Sequence, residues 1–138
     1  NGGGAADFNL QFVDVPRPKN PYLLGVAFHE IGHIHHYRTT KRYDELPLYE
    51  LEYMAETYAI DKLKKHGMPT REYRAYATKY VLVCCAKYKN SGGDVMKIPA
   101  EIRKWTKMKV RKWIAARRVL VENTDINSLG DIKIRYKN

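Results

Sequence analysis

Two histidines four residues apart, with a glutamate between them, constrain this chain more than any other feature. His29, Glu30 and His33 belong to the pentapeptide His-Glu-Ile-Gly-His, an H-E-x-x-H pattern that is typical of zinc sites on helices. Residues four apart lie on one face of an α-helix, so both imidazoles can bind a single metal ion while Glu30 lies beside them. The pattern therefore predicts a helix in this segment, with His29 and His33 as two ligands of a Zn2+ ion.

A third protein ligand is expected, because catalytic zinc usually has three and leaves a fourth position for water. Glu52 is the candidate, since it lies 19 positions after His33 in a second stretch of helical character. Two alternatives remain open: Glu56, one helical turn further along, and His66, near the expected end of the same helix. The two histidines that follow the motif point away from its face at about 100° per residue. We therefore interpret His35 and His36 as structural.

The two helical stretches together resemble a known family of peptidases. Residues 52–59 read Glu-Tyr-Met-Ala-Glu-Thr-Tyr-Ala. An H-E-x-x-H helix followed by E-x-x-A-[D/N]-x-[aromatic]-A is similar to the gluzincin metallopeptidases, most of all to the small ImmA/IrrE-like and minigluzincin groups. The similarity covers residues 21–68 and implies that Glu52 is the third zinc ligand. It also implies that Glu56 steadies a ligand histidine without binding the metal itself.

The resemblance further implies a zinc-dependent endopeptidase that hydrolyses peptide bonds of a protein substrate through a zinc-bound water. Glu30 is expected to be the catalytic general base that takes the proton of this water. A donor to the oxyanion is also required, for which Tyr43 and Tyr49 are candidates. The substrate is expected to bind as an added strand along residues 8–15.

The pattern of apolar and turn-forming residues predicts an α+β fold, mostly α, in which one zincin-like domain spans residues 1–138. Asn20 and Pro21 are typical of a helix start. The predicted elements are an H-E-x-x-H helix at 21–37, a glutamate helix at 47–67, two further helices at 70–89 and 99–122, and a small sheet. The strands of this sheet are predicted at 7–15 and 131–136, where polar and apolar residues alternate.

Basic residues are concentrated in the second half of the chain. Residues 62–138 carry 20 Lys and Arg against 6 Asp and Glu, whereas residues 1–61 carry 5 against 9. Within the basic helical part at 70–122, the stretch 101–118 interleaves cations with two tryptophans, a pattern that can bind nucleic acid, an anionic membrane surface or an acidic protein. An ordinary amphipathic helix with solvated lysines has the same pattern.

Two alternatives to an active peptidase remain open. One is a non-catalytic zincin-like module that binds nucleic acid or a protein through the basic half. The other is a latent enzyme whose terminal segment fills the cleft.

Cysteine usage bears on the compartment. Cys84 and Cys85 are adjacent, which is a poor geometry for a structural disulfide, and they lie in an apolar run. We expect buried thiols in a reducing environment and therefore a cytoplasmic protein. No apolar run approaches the roughly 18 residues that a membrane-spanning helix requires.

Overall fold

The computed structural model describes residues 4–9 and 12–108. These residues form four α-helices and a two-stranded antiparallel sheet, which confirms an α+β fold that is mostly α. The helices are α1 (Pro21–Thr39), α2 (Leu48–Lys65), α3 (Arg71–Asn90) and α4 (Ala100–Trp105), and the strands are β1 (Ala5–Asp7) and β2 (Phe12–Asp14). Short 3-10 turns lie at Tyr43–Glu45 and Val95–Lys97. Among the described residues, every helix is too short or too polar to serve as a membrane-spanning segment.

Helix α1 begins where the sequence predicts it. The side chain of Asn20 accepts a hydrogen bond from the Leu23 N–H at 2.8 Å. Pro21 occupies the first helical position, where a backbone N–H has no partner within the helix, so the missing N–H of proline costs no hydrogen bond. Further along, Gly32 allows α1 to lie close to α2, because a Cβ there would be 2.9 Å from the Cδ1 atom of Tyr58. The close approach of these two helices positions the candidate site.

Helix α3 is buried between two apolar clusters. One lies between α1, α2 and α3 and consists of Val26, Ala59, Ile60, Leu63, Tyr73 and Ala77. The other joins α3 to the start of α2 and to residues 95–102. Cys84 and Cys85 are buried in the second cluster as free thiols, as predicted, and burial raises the pKa of Cys85 to about 12. The first cluster thus packs α3 against α1 and α2, and the second packs it against α2 and residues 95–102.

The sheet differs from the prediction of one continuous strand at residues 7–15. The chain turns after Asp7 and returns, so β1 pairs antiparallel with β2 and Ala6 lies opposite Val13. The turn takes Phe8 out of the strand, where its ring stacks on Tyr37 with a centroid distance of 4.8 Å. An alternating pattern fits a hairpin as well as a single strand, so the sequence pattern alone does not distinguish them.

The prediction of a fourth helix at residues 99–122 is also wrong in its extent. Helix α4 ends at Trp105, because Lys107 has a left-handed backbone (φ 57°) and the Met108 N–H donates to the Arg103 carbonyl at 2.9 Å. This is the hydrogen-bond pattern of a Schellman helix end. The proposed basic helix at 101–118 is therefore not one continuous helix. Residues 109–118 and the strand predicted at 131–136 lie outside the described residues.

Candidate metal centre

Three buried side chains from α1 and α2 bring their metal-binding atoms together. The Nε2 atoms of His29 and His33 are 3.1 Å apart. Glu52 from α2 lies against both, with Oε1 at 3.1 Å from Nε2 of His29 and Oε2 at 3.4 Å from Nε2 of His33. The spacing of four residues on α1 aligns the two rings, and the contact between the helices supplies the carboxylate.

These separations suit a tetrahedral zinc ion. Metal–ligand bonds of about 2.0–2.1 Å imply ligand atoms roughly 3.3–3.4 Å apart, close to the observed spacing. A wider set is also possible, because ligand atoms of His29, Glu30 and His33 all lie within 4.8 Å of one another. This group could hold a metal ion. We favour Glu52 as the third donor because it is the carboxylate in direct contact with both Nε2 atoms.

The second nitrogen of each imidazole has its own partner. His29 Nδ1 lies 3.0 Å from Glu56 Oε1, and His33 Nδ1 lies 3.2 Å from the Tyr43 hydroxyl. If both Nε2 atoms face a metal, both Nδ1 atoms carry protons and donate to these oxygens, which fixes the tautomer and orientation of each ring. The geometry thus separates Glu52, on the metal-facing side of His29, from Glu56 on the other side.

Opposite charges dominate the electrostatics of this cluster. Burial alone would lower the pKa of His29, but the carboxylates of Glu56 and Glu52 outweigh it and hold the pKa well above its usual value. Burial alone would raise the pKa of Glu52, but His33 and His29 outweigh it and hold the pKa well below its usual value. Without a metal, the charged forms of His29 and Glu52 are therefore favoured, as in a buried ion pair.

One side of the centre faces an open cleft of about 470 Å³. Glu30, His33 and Glu52 line it together with Ala5 and Ala6 of β1. Gly4, the residue before β1, is buried against Glu30. A Cβ atom on Gly4 would lie 3.0 Å from the Glu30 Cγ atom. The strand that borders the cleft is therefore β1, not the predicted residues 8–15 as a whole.

Other residues singled out in the sequence lie in different places. Tyr43 lines the cleft, whereas Tyr49 is buried in the core with its ring 4.9 Å from that of Tyr88, so Tyr49 is not part of the site. His66 is exposed at the end of α2, where its Nδ1 is 2.9 Å from the Lys62 carbonyl, and it does not join the cluster. The other two histidines of α1 pack on Tyr58, in keeping with a structural role: His35 and His36.

One contact of the site was not predicted from the sequence. The hydroxyl of Tyr73, on α3, donates to Glu56 Oε1 at 2.5 Å, so this oxygen is shared by Tyr73 and His29. Tyr73 is 17 residues from Glu56, and no local pattern links them. The closest hint is Gly25, where a glycine in a helix interior indicates close packing by another element.

Comparisons with models of protein families, with curated proteins and with solved structures give no significant match. The chemistry of this chain is therefore inferred from the cluster itself, and what the residues support is a buried two-histidine, one-carboxylate centre that opens on a cleft beside Glu30.

Proposed function

We propose that this protein is a zincin-like, zinc-dependent endopeptidase of the gluzincin type. The observation that carries the proposal is the position of Glu30, whose carboxylate lies near the ligand atoms of His29 and His33 and lines the open cleft. A purely structural zinc site is closed by its protein ligands and needs no acid–base residue beside it. A buried carboxylate next to an open metal centre is the arrangement that hydrolysis requires.

His29, His33 and Glu52 would hold the metal. Bound zinc would polarise the carbonyl of a peptide bond and lower the pKa of water at the site. Glu30 then accepts a proton from the attacking water and delivers it to the departing amine, as a general base followed by a general acid. Glu30 is 4% exposed, so its carboxylate is largely shielded from bulk water.

Tyr43 is the residue that we propose as the orienting partner of His33. Its oxygen lies 3.2 Å from His33 Nδ1, on the side of the ring opposite the Nε2 atom that would bind the metal. From that position the hydroxyl is too far from the metal to donate to an oxyanion there. As acceptor of the Nδ1 proton, Tyr43 would fix the tautomer and the direction of the ring.

The substrate that suits this cleft is an extended polypeptide. Strand β1 pairs with β2 along one edge, and Ala5 and Ala6 border the cleft beside the centre. An extended peptide in the cleft can pair with β1 along the edge opposite β2. Pairing through the backbone gives affinity with little dependence on sequence. Leu48 and Leu51 also line the cleft and offer an apolar surface to substrate side chains.

The test combines metal analysis with a proteolysis assay on the intact chain. Wild-type protein is expected to bind one zinc ion and to cleave an unfolded, fluorescently labelled casein. Glu30→Gln should remain folded and zinc-loaded but lose activity by about 100-fold or more, since it retains the shape of the side chain and loses its basicity. Glu72→Gln, at an exposed position on α3, is the matched control and should behave as wild type. Equal activity in Glu30→Gln and the control would exclude this mechanism.

A further inference from the structure

A tyrosine on the far side of the centre completes the hydrogen bonding behind His29. The Tyr73 hydroxyl donates to Glu56 Oε1 at 2.5 Å, and the same oxygen lies 3.0 Å from His29 Nδ1. Glu56 Oε2 is buried and has no hydrogen-bond partner in the part of the chain that the structure describes. The hydrogen bonds to Glu56 are thus concentrated on a single oxygen, with Tyr73 and His29 as its two donors.

The position of Tyr73 is tightly determined. Its side chain is 2% exposed, and its ring lies against Gly25 of α1, where a Cβ would be only 2.4 Å from the ring Cδ1 atom. The rings of Tyr22 and Tyr76 pack on it at centroid distances of 5.8 and 5.9 Å. The hydroxyl therefore cannot leave Glu56 without displacing neighbouring rings.

We propose that Tyr73 is a positioning residue for the metal, acting through Glu56 on the His29 ring. This inference rests on the zinc site proposed above. Without the Tyr73 hydroxyl, the Glu56 carboxylate would be less firmly oriented. The ring of His29 would then lose the fixed acceptor that aims Nε2 at the metal. Partners of metal ligands typically alter metal affinity by about 10- to 100-fold when removed.

The test is zinc affinity, measured by competition with a chromogenic chelator. Tyr73→Phe should weaken zinc binding by about tenfold or more. Cobalt substituted for zinc should show an altered visible absorption spectrum in the same variant, which a change in stability alone would not produce. Tyr76→Phe is the control, because that ring lies in the same cluster and its hydroxyl donates to no described residue. Equal zinc affinities and cobalt spectra in the two variants would overturn the inference.

A double-mutant cycle separates action through Glu56 from a general effect of the mutation. Glu56→Ala removes the carboxylate through which Tyr73 would act, so Tyr73→Phe should change zinc affinity little in that background. Full additivity of the two substitutions would overturn the inference. Wild-type protein that binds no zinc would instead overturn the site itself, an outcome that this cycle distinguishes from failure of Tyr73 alone.

A measurement on the unmutated protein covers the case in which Tyr73→Phe does not fold. The Tyr73 hydroxyl oxygen lies 2.5 Å from a buried carboxylate oxygen, so its shared proton should exchange slowly and resonate downfield in the proton NMR spectrum. Its resonance should move when zinc is added, because His29 shares the acceptor. A resonance that is unaffected by stoichiometric zinc would contradict the coupling between Tyr73 and the metal.

Discussion

The Nε2 atoms of His29 and His33 lie 3.1 Å apart, and Glu52 contacts both of them. Two imidazole nitrogens at this distance cannot both present bare lone pairs to each other, so the arrangement requires a proton or a cation between or beside them. Helix α1 fixes the two rings and α2 supplies the negative charge. The cluster is therefore organised around positive charge, which a divalent metal supplies more strongly than protons do.

Substitution at Glu52 and at Glu56 should have different effects on the metal. Glu52→Ala removes a direct donor and should release most of the zinc, as measured by elemental analysis after dialysis. Glu56→Ala leaves all three donors in place, so zinc should still bind, with an affinity reduced by about 10- to 100-fold. Stoichiometric zinc in Glu52→Ala together with its loss in Glu56→Ala would transfer the third-ligand role to Glu56.

The stability of the metal-free protein should depend on pH in a direction set by two groups. The pKa of His29 is raised, so its contribution is complete below about 6.5 and is lost as the pH rises through the higher folded-state value. The pKa of Glu52 is lowered, so its contribution is present above about 4.5 and is lost as the pH falls through the lower folded-state value. Both contributions are complete between about pH 4.5 and about pH 6.5. In the presence of a chelator, the melting temperature should therefore be highest in that range and should fall at higher pH.

Zinc should reverse this alkaline decline. Metal competes with protons for His29 and His33, so the rise in melting temperature on adding zinc should increase with pH. The measurement is scanning calorimetry with and without zinc over a series of buffers. His66→Gln, at an exposed histidine away from the cluster, is the control and should retain the same dependence. A zinc effect that is independent of pH would argue against imidazole ligands.

Tyr43→Phe should weaken zinc binding more than it lowers turnover. If the hydroxyl orients His33 through Nδ1, its loss should lower zinc affinity by about tenfold, with a small change in kcat at saturating zinc. Tyr37→Phe is the control, since that tyrosine packs on the same Phe8 ring and is partly exposed. A variant with normal zinc affinity and a kcat reduced by about 100-fold would instead indicate that Tyr43 donates to the oxyanion.

The two close-contact glycines of α1 should differ in their tolerance of alanine. A Cβ at Gly25 would be 2.4 Å from the buried Tyr73 ring, whereas one at Gly32 would be 2.9 Å from the half-buried ring of Tyr58. Gly25→Ala should therefore lower the free energy of unfolding by about 1–3 kcal/mol despite the better helix propensity of alanine. Gly32→Ala should cost less, because Tyr58 is freer to move. Urea denaturation of the two variants tests this order, and a reversed order would contradict it.

Features that depend on neighbouring residues could be predicted from the sequence. The start of α1 at Pro21 follows from Asn20 acting as a side-chain cap, and the pairing of His29 with His33 follows from helix periodicity. Glu52 lies against both histidines, where a third donor on a second helix was expected.

Features that depend on distant packing could not be predicted in this way. The alternation at residues 7–15 did not reveal the turn that takes Phe8 onto Tyr37. The end of α4 lies at a left-handed Lys107, where no glycine or asparagine marks the stop. The contact between Tyr73 and Glu56 joins α3 to α2 through three-dimensional packing alone. These are the places where tertiary contacts outweigh local preference.

If zinc binds at this centre, the position of its donors on two separate helices would affect the amount of protein in a cell. Zinc held by His29 and His33 on α1 and by Glu52 on α2 would cross-link the helices, and an unfolded chain has no such preformed set of donors. Free zinc at 100 times the dissociation constant would favour the folded form by about 2.7 kcal/mol. Because quality control removes chains that spend time unfolded, the abundance of this protein would rise and fall with zinc supply, so zinc would govern the protein's lifetime as well as its chemistry.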